Sequence, residues 1–112
     1  MNSLNKASLI GMVGKDPEVK QLEGGSVAKF SLATGETYKD RDGNKHERTE
    51  WHNITCWNKL ADIAGNIVRK GSQVYVEGSI KYRTWGEGDQ KKTATEIVAD
   101  TVLVLGKKPA NE

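Results

Sequence analysis

Short segments with alternating apolar and polar residues dominate this chain, and turn-forming residues separate them. Alternation with a period of two residues is typical of a β-strand that buries one of its faces. Glu18–Leu22 is interpreted as a second piece of the first strand, because Asp16-Pro17 marks a turn between the two pieces. The five predicted strands are Lys6–Val13, Val27–Thr34, Thr49–Trp57, Gln73–Thr84 and Thr93–Leu105.

One segment, Asn58–Val68, has the periodicity of an amphipathic helix instead. Asn58 is suited to cap the N-terminus of this helix with its side chain. Arg69, Lys70 and Gly71 suit a helix C-terminus and its cap. The apolar stripe consists of Leu60, Ile63, Ala64, Ile67 and Val68.

The order of the elements predicts an all-β fold class. A helix between the third and fourth of five strands is typical of the OB-fold, a five-stranded Greek-key barrel. An SH3-like barrel or a β-sandwich is an alternative that explains the position of the helix less well. A chain of 112 residues is long enough for one domain with its own core. The predicted domain covers residues 1–106, and residues 107–112 are expected to begin a disordered tail.

The strand Thr49–Trp57 combines two tryptophans with polar residues on one face. Successive side chains of a strand point to opposite sides. Because burying an amide and a hydroxyl requires hydrogen-bond partners, the face with the tryptophans is predicted to point outward. The outward set is Trp51, Asn53, Thr55 and Trp57, and the inward set is His52, Ile54 and Cys56.

The strand Gln73–Thr84 repeats this arrangement and extends it towards Trp85. Lys81, Arg83 and Trp85 share one predicted outward face. Aromatic rings beside cations favour single-stranded nucleic acid, because bases stack on rings while phosphates lie next to Lys or Arg. A β-bulge would reverse these assignments, and a protein interface is the alternative use of an exposed tryptophan. The inward set is predicted to be Val74, Val76, Ile80 and Tyr82.

Composition and charge narrow the function classes. The formal net charge is only +2, so attraction to a polyanion must come from local clustering of cations. The single cysteine excludes an internal disulfide, and no signal peptide or membrane span is recognisable, which favours the cytoplasm. His52 and Cys56 lack the further ligands that a metal site needs. No catalytic motif, metal or cofactor is therefore expected.

Several separate motifs resemble the bacterial-type single-stranded DNA-binding proteins of the replication machinery. The resemblance extends from about Leu4 to Gly106. It implies an OB-fold that assembles as a homotetramer and binds single-stranded DNA without reading its sequence, in the cytoplasm and associated with the nucleoid. The matching motifs, in chain order, are LIGMVGKDPEV, KFSLAT, TEWHNI, KLADIA and RKGSQVYVEGSIKYRTW.

The resemblance also implies roles for individual residues. Gly35 is expected to interrupt the strand before Tyr38, so the face of Tyr38 cannot be assigned from alternation. Strand alternation places Tyr75 beside the outward cations, whereas the resemblance favours a subunit interface for Tyr75 and His52. The stacking rings are Tyr38, Trp51, Trp57 and Trp85, and the basic positions expected to contact phosphate are Lys59, Arg69, Lys70, Lys81 and Arg83. Arg41 and Lys45 lie in a charged hairpin around Asp42-Gly43.

Three alternatives to this interpretation remain at the level of sequence. A replication-restart or plasmid OB-fold protein would share the fold and form a dimer, and an adaptor would use the aromatic face to bind protein. A nuclease would need a cluster of carboxylates or histidines, which the spacing does not provide. The resemblance implies replication and repair proteins as partners only where a longer acidic tail is present, and the sequence reaches Glu112 without such a tail.

Overall fold

Six strands and one α-helix form within residues 1–106, the part of the chain that the computed structural model describes. The expected tail at residues 107–112 lies outside the described residues. A single 3₁₀ turn, Gly88–Gln90, lies between the last two strands. The elements are β1 (Ala7–Val13), β2 (Glu18–Leu22), β3 (Gly25–Lys39), β4 (Lys45–Trp57), α1 (Lys59–Ile67), β5 (Gln73–Trp85) and β6 (Lys92–Gly106).

Five of the strands close into a barrel in the order β1-β5-β6-β4-β3, and β3 returns to β1. The closing contact pairs Met12 with Ala33 and Val13 with Leu32. All neighbours are antiparallel except β4 and β6, which are parallel. Helix α1 follows the third barrel strand and precedes the fourth, so the predicted topology is confirmed.

Strand β2 lies along the same edge of β3 as the end of β1. Val13 pairs with Leu32, and the pairing resumes with Glu18 opposite Lys29. The segment between these paired positions is therefore two residues longer on the β1–β2 side than on β3. The interpretation of Glu18–Leu22 as a second piece of the first strand is confirmed in direction and partner, although Gly14–Pro17 separates the two pieces.

The core forms from the inward residues of the strands and one side of α1. Removing these apolar side chains from water provides most of the driving force for folding. The inward placement of Ile54 and Cys56 is as predicted, and burial raises the pKa of the Cys56 thiol to about 11. The buried cluster includes Ala28, Phe30, Leu32, Ile54, Cys56, Ala61, Ala64, Val68, Val74, Val76, Ile97 and Val102.

One prediction about a buried side chain is wrong, and part of the apolar stripe of the helix is exposed. Tyr82 was assigned to the core, but 73% of its surface is exposed because β5 and β6 continue as a hairpin beyond the barrel. Ile63 and Ile67 belong to the apolar stripe of the helix, yet both are exposed, since the barrel covers only the side that carries Ala61 and Ala64.

Strands β3 and β4 form a second hairpin that is longer than predicted. Their pairing continues to Lys39 opposite Lys45, so Gly35 does not interrupt β3. The side chain of Asp40 organises the tip, because its Oδ1 accepts hydrogen bonds from the backbone N–H groups of Asp42 and Asn44, each at 2.9 Å. Gly43 adopts a φ of 84°, which confirms the predicted turn at Asp42-Gly43.

The predicted capping role of Asn58 is wrong. Its side chain makes no hydrogen bond to the first turn of α1. Instead, the backbone N–H of Ser26 donates to Asn58 Oδ1 at 3.4 Å, and the Ser26 hydroxyl donates to the Asn58 carbonyl at 3.2 Å. Asn58 has a φ of 55°, a conformation that Asn tolerates better than most residues. It therefore ties the start of β3 to the turn between β4 and α1.

A β-bulge in β6 allows residues on both sides of the bulge to face the interior of the barrel. Glu77 pairs with Thr101 and Gly78 pairs with Ala99, so Asp100 has no partner in β5. The extra residue reverses the alternation in β6, and both Ile97 and Val102 are buried although they lie five residues apart. The bulge falls on β6, so the alternation predicted for β5 is preserved.

Candidate nucleic-acid interface

Two half-exposed tryptophans lie on the outward face of β4. Trp51 is 61% exposed and Trp57 is 46% exposed, so the predicted orientation of both rings is confirmed. Trp51 lies opposite Ala33, and a side chain added at Gly14 would collide with its ring. A glycine at this position therefore leaves room for the ring to lie against the loop between β1 and β2.

A cleft of about 340 Å³ opens on the same side of the barrel, along the stretch of β4 between the two tryptophans. Asn53 and Thr55 contribute to it from β4, and Lys29 and Ser31 contribute from the neighbouring strand β3. Thr55 is only 2% exposed, but its hydroxyl donates to Glu96 Oε2 at 2.8 Å. A polar group is thus buried on the outward face because a carboxylate from β6 satisfies it. The remaining lining includes Lys15, Asp16, Glu18, Arg83, Ala94 and Thr95.

The outer half of β5 adds the third tryptophan and two cations. Lys81, Arg83 and Trp85 are all exposed, as the alternation predicted. The guanidinium carbon of Arg83 lies 5.6 Å from the centre of the Trp85 ring, a cation–π arrangement. Arg83 also lines the cleft, so this hairpin and the outward face of β4 border the same opening.

Tyr38 does not share a face with Trp51 and Trp57. It lies directly opposite His46 in the β3–β4 hairpin, and His46 has the same alternation as the inward residue Ile54. The Tyr38 and His46 rings are stacked with their centres 5.3 Å apart and their planes at 21°. The guanidinium carbon of Arg48 lies 5.4 Å from the Tyr38 ring centre. The structure therefore places Tyr38 on the other side of a projecting hairpin, within a small cationic and aromatic cluster.

Hydrogen bonds orient this cluster at the hairpin tip. His46 Nε2 lies 2.9 Å from Asp40 Oδ2, and Arg48 forms an ion pair with Glu36 at 3.4 Å. The hydrogen bond from His46, followed by those from the backbone of the turn, holds the pKa of the Asp40 carboxyl below its usual value. Asp40 thus stays ionised while it organises the turn and orients His46.

The five basic residues predicted to contact phosphate lie in three places. Lys81 and Arg83 lie beside the cleft, and Lys59 begins α1 two residues after Trp57. Arg69 donates to the carbonyls of Gly65 and Val68 at 2.8 and 2.7 Å, so it also closes the C-terminus of α1. The backbone N–H of Lys70 donates to Asp16 at 2.8 Å, which places Lys70 next to the loop that lines the cleft.

Four basic residues in these regions were not predicted as contacts. Lys15 and Lys29 line the cleft, and His46 and Arg48 lie next to Tyr38. The alternation in Val27–Thr34 already placed Lys29 outward with Ser31, so its position was available from the sequence. The other three lie in a loop or in the hairpin extension, where the predicted strands had ended.

A second outward surface has a different composition. Ile10, Tyr75 and Leu103 pair across β1, β5 and β6 and form one row, with Ile10 and Leu103 exposed by 54% and 53%. Glu77 lies next to this row, where it accepts a hydrogen bond from the Tyr75 hydroxyl and pairs with Lys6 at 3.3 Å. The hydrogen bond from Tyr75 and the Lys6 charge lower the pKa of Glu77. Tyr75 therefore lies away from the cleft, on an apolar face.

His52, the other predicted interface residue, is not on that apolar face. It lies opposite Leu32 on the inward side of the sheet, is half-buried, and shares a hydrogen bond of 2.9 Å with the Thr34 hydroxyl. The structure does not bring His52 and Tyr75 together within one chain. Their assignment to subunit contacts stays a prediction.

The described residues give little support to a metal site or a membrane-spanning helix. Among residues 1–106, no group of three or more His, Cys, Asp and Glu side chains is arranged to hold a metal ion. No helix in this range has the length and apolar character needed to cross a membrane. What the described residues do bring together is a cleft lined by cations and hydrogen-bonding groups, on the strand face of β4 that also exposes Trp51 and Trp57.

The closed barrel, the position of its helix and the aromatic outward face define an OB-fold domain. Residues 4–105 match the model of the single-strand binding protein family, and the chain belongs to that family.

Two relatives show the extent of the similarity in sequence. The single-stranded DNA-binding protein of Neisseria meningitidis serogroup A is 50% identical over 111 residues, covering 97% of this chain. Single-stranded DNA-binding protein 1 of Chlorobaculum tepidum is 51% identical over 109 residues, covering 94% of this chain. This chain spans 64% of the length of the Neisseria protein and 67% of the Chlorobaculum protein. The relatives are named as DNA-binding proteins, not as enzymes.

Two solved structures show the same similarity in fold. The complex of Plasmodium falciparum SSB with single-stranded DNA has a TM-score of 0.86 and 41% sequence identity, and the match covers 94% of this chain and 97% of that chain. A deletion mutant of the single-stranded DNA-binding protein from Thermus aquaticus has a TM-score of 0.79 and 26% identity, with 91% and 50% covered.

Proposed function

We propose that this chain binds single-stranded DNA without a defined target sequence and protects it during replication, recombination and repair. The observation that carries the proposal is the pair Trp51 and Trp57, half-exposed on the strand face of β4 whose intervening residues Asn53 and Thr55 line a cleft together with basic residues. Membership of the family and the similarity to an SSB complex with single-stranded DNA support it.

Base stacking supplies most of the binding energy in this proposal. Trp51, Trp57, Trp85 and Tyr38 offer ring faces, and stacking tolerates any sequence because every base has a π-face. Each stacked base contributes about 1–3 kcal/mol. In a duplex the base faces are already stacked on one another, so these rings select the single-stranded form.

Cations beside the rings hold the phosphate backbone. Lys81 and Arg83 border the cleft, and Lys15 and Lys29 line it. Within residues 1–106 none of these four forms an ion pair, so all are available to phosphate. Lys59, Arg69 and Lys70 extend the cationic path along α1, which is about 14 Å long.

The apolar row of Ile10, Tyr75 and Leu103 supports assembly into a homotetramer. A row of large side chains whose neighbouring charges, Lys6 and Glu77, pair with each other gains from burial against another protein surface. The outer edge of β1 pairs with β3 only at Met12 and Val13, which leaves Ala7–Gly11 open for pairing with a second chain. His52 and Tyr75 are the predicted subunit contacts. The dimeric alternative would have half the mass of the homotetramer in solution.

The mechanism is passive and uses no catalytic group, metal or cofactor. Residues 1–106 form the DNA-binding domain in this proposal, and the protein acts in the cytoplasm with the nucleoid. Replication and repair proteins are partners where a longer acidic tail follows the domain. Protection follows from occupancy, because a strand held on the rings cannot pair with its complement.

Fluorescence anisotropy with labelled oligo-dT of increasing length tests the proposal. We expect tight binding of the single strand, a length threshold within the range of about 4–16 nucleotides per OB domain, and much weaker binding of a duplex of equal length. Equal affinity for single strand and duplex would contradict the proposal, as would no binding at low salt.

A further inference from the structure

The β5–β6 hairpin leaves the barrel next to a bulge. Up to Gly78, strand β5 lies between β1 and β6, and Ala7 opposite Gly78 is the last pair that it forms with β1. Beyond the bulge opposite Glu77 and Gly78, β6 alone among residues 1–106 continues alongside β5, as far as Trp85. A bulge bends its strand and locally disrupts the ladder, so the β5–β6 pairing alone does not fix the direction of this hairpin.

The side chain of Asn5 takes the place of the missing strand just beyond the bulge. Its Nδ2 donates to the Ile80 carbonyl at 2.8 Å, and its Oδ1 accepts the Ile80 backbone N–H at 2.8 Å. These two hydrogen bonds are of the kind that a residue exchanges with its partner in an antiparallel pair. Lys6 adds an ion pair with Glu77 at 3.3 Å. The N-terminal segment is therefore joined to β5 on both sides of the bulge.

The part of the hairpin that follows Ile80 carries three of the residues proposed to bind DNA. Lys81 is the next residue, Arg83 follows, and Trp85 ends the strand. Trp85 lies about 17 Å from Ile80 along an extended strand, so a tilt of about 10° at Ile80 would move the ring by about 3 Å. A displacement of that size separates a ring from a base stacked on it. The direction of the strand at Ile80 therefore decides whether these contacts form.

We propose that Asn5 is a positioning residue for DNA binding. Its paired hydrogen bonds to Ile80 fix the direction of the β5–β6 hairpin, so that the cations and the tryptophan of the hairpin reach the same DNA strand as the rings of β4. Asn5 acts through the backbone of Ile80 and does not itself contact DNA. An oriented hairpin also loses less conformational entropy when DNA binds. This role rests on the proposed function, since it needs DNA on the hairpin.

The first measurement is the affinity of Asn5→Ala for oligo-dT, by fluorescence anisotropy at low salt. Alanine removes both hydrogen bonds and places no new group against Ile80. We expect binding to weaken by about 2- to 10-fold, the effect of one net hydrogen bond. Asn2→Ala, the same substitution in the same exposed segment, is the matched control and should leave the affinity unchanged. Sedimentation should give the same mass for both variants as for the unmodified protein.

The second measurement repeats Asn5→Ala in two altered backgrounds, because interacting residues give non-additive effects and independent residues give additive ones. One background lacks the hairpin contacts through Lys81→Gln, Arg83→Gln and Trp85→Ala together. There the effect of Asn5→Ala should fall to about 1-fold, since no contact remains for Asn5 to position. The other background is Trp57→Ala, on β4, where Asn5→Ala should keep its full effect.

Each outcome decides one of the two proposals. If Asn5→Ala weakens binding by the same factor in both backgrounds, the side chain only stabilises the domain and the positioning role is wrong. If it leaves the affinity of the unmodified protein unchanged, or changes the mass, the role is also wrong. If the unmodified protein itself does not bind oligo-dT at low salt, the proposed function fails.

Discussion

The outward surface of the barrel carries large apolar side chains in two regions that differ in their neighbours. Around β4 and the outer half of β5, three tryptophans alternate with Asn, Thr, Lys and Arg beside a polar cleft. Across β1, β5 and the end of β6, Ile10, Tyr75 and Leu103 form a row whose nearest charges, Lys6 and Glu77, pair with each other. Fractional exposure is similar for the large side chains exposed in both regions, at 46–61% for the tryptophans and 53–54% for Ile10 and Leu103.

Exposure alone therefore does not distinguish a ligand-binding surface from an assembly surface. A flat aromatic ring beside an unpaired cation suits a ligand that has both a π-face and a negative charge. Aliphatic side chains whose neighbouring charges are neutralised suit another protein surface of the same kind. We therefore propose DNA as the ligand of the first region and subunit contacts for the second.

The largest expected effect is loss of assembly in Leu103→Lys. An unpaired ammonium buried in an apolar interface costs at least about 3 kcal/mol per site. Sedimentation should then shift from four times the 12.3 kDa mass of one chain towards the single chain. Val19→Lys, at an exposed aliphatic position on β2, is the control and should leave the mass unchanged. A tetramer that survives Leu103→Lys would remove this row from the interface.

The second-largest expected effect is the loss of DNA affinity when one stacking ring is removed. Trp57→Ala should weaken oligo-dT binding by about 1–3 kcal/mol, the value of one stacked base. Trp57→Phe keeps a ring and should lose much less. Both variants should keep the mass of the unmodified protein, because Trp57 lies on β4, whereas the apolar row lies on β1, β5 and β6. A change in mass with unchanged DNA affinity would reverse the two assignments.

A smaller effect is expected from one phosphate contact. Lys81→Gln should reduce the slope of log affinity against log salt concentration by about 0.7, the contribution of one contact to a single strand. Lys81→Arg keeps the charge and should keep the slope. An unchanged slope in Lys81→Gln would show that this side chain contacts no phosphate.

The smallest expected effect is the loss of structure at the tip of the β3–β4 hairpin at low pH. The pKa of Asp40 lies below its ordinary value of 3.8, mainly because His46 donates a hydrogen bond to it. Its contribution to the hairpin is therefore complete above pH 3.8 and is lost as the pH falls through the lowered value. NMR titration of the Gly43 amide should report this transition below 3.8, and His46→Ala should move it upward. A transition at or above 3.8 in the unmodified protein would contradict the structure.

Strand alternation was sufficient for much of the fold and of the site. It placed Trp51 and Trp57 outward, Ile54 and Cys56 inward, and the helix between the correct strands. These predictions succeeded because one face of each strand segment packs into the barrel, so burial and alternation coincide.

Alternation failed where strands leave the barrel. Tyr82 has the alternation of a core residue, but no core lies beneath the β5–β6 hairpin. The sequence leaves the face of Tyr38 unassigned because it predicts an interruption at Gly35, whereas pairing with β4 continues through that glycine. The Thr55–Glu96 hydrogen bond depends on the parallel pairing of β4 with β6, which local sequence does not specify.

Tryptophan fluorescence during titration with oligo-dT tests the central claim most directly, because all three tryptophans lie at the proposed interface. We expect emission at low salt to fall to a saturable minimum as bases stack on the rings, and added salt to restore it. Unchanged emission at low salt, with the oligomer in excess, would contradict the assignment of this surface to single-stranded DNA.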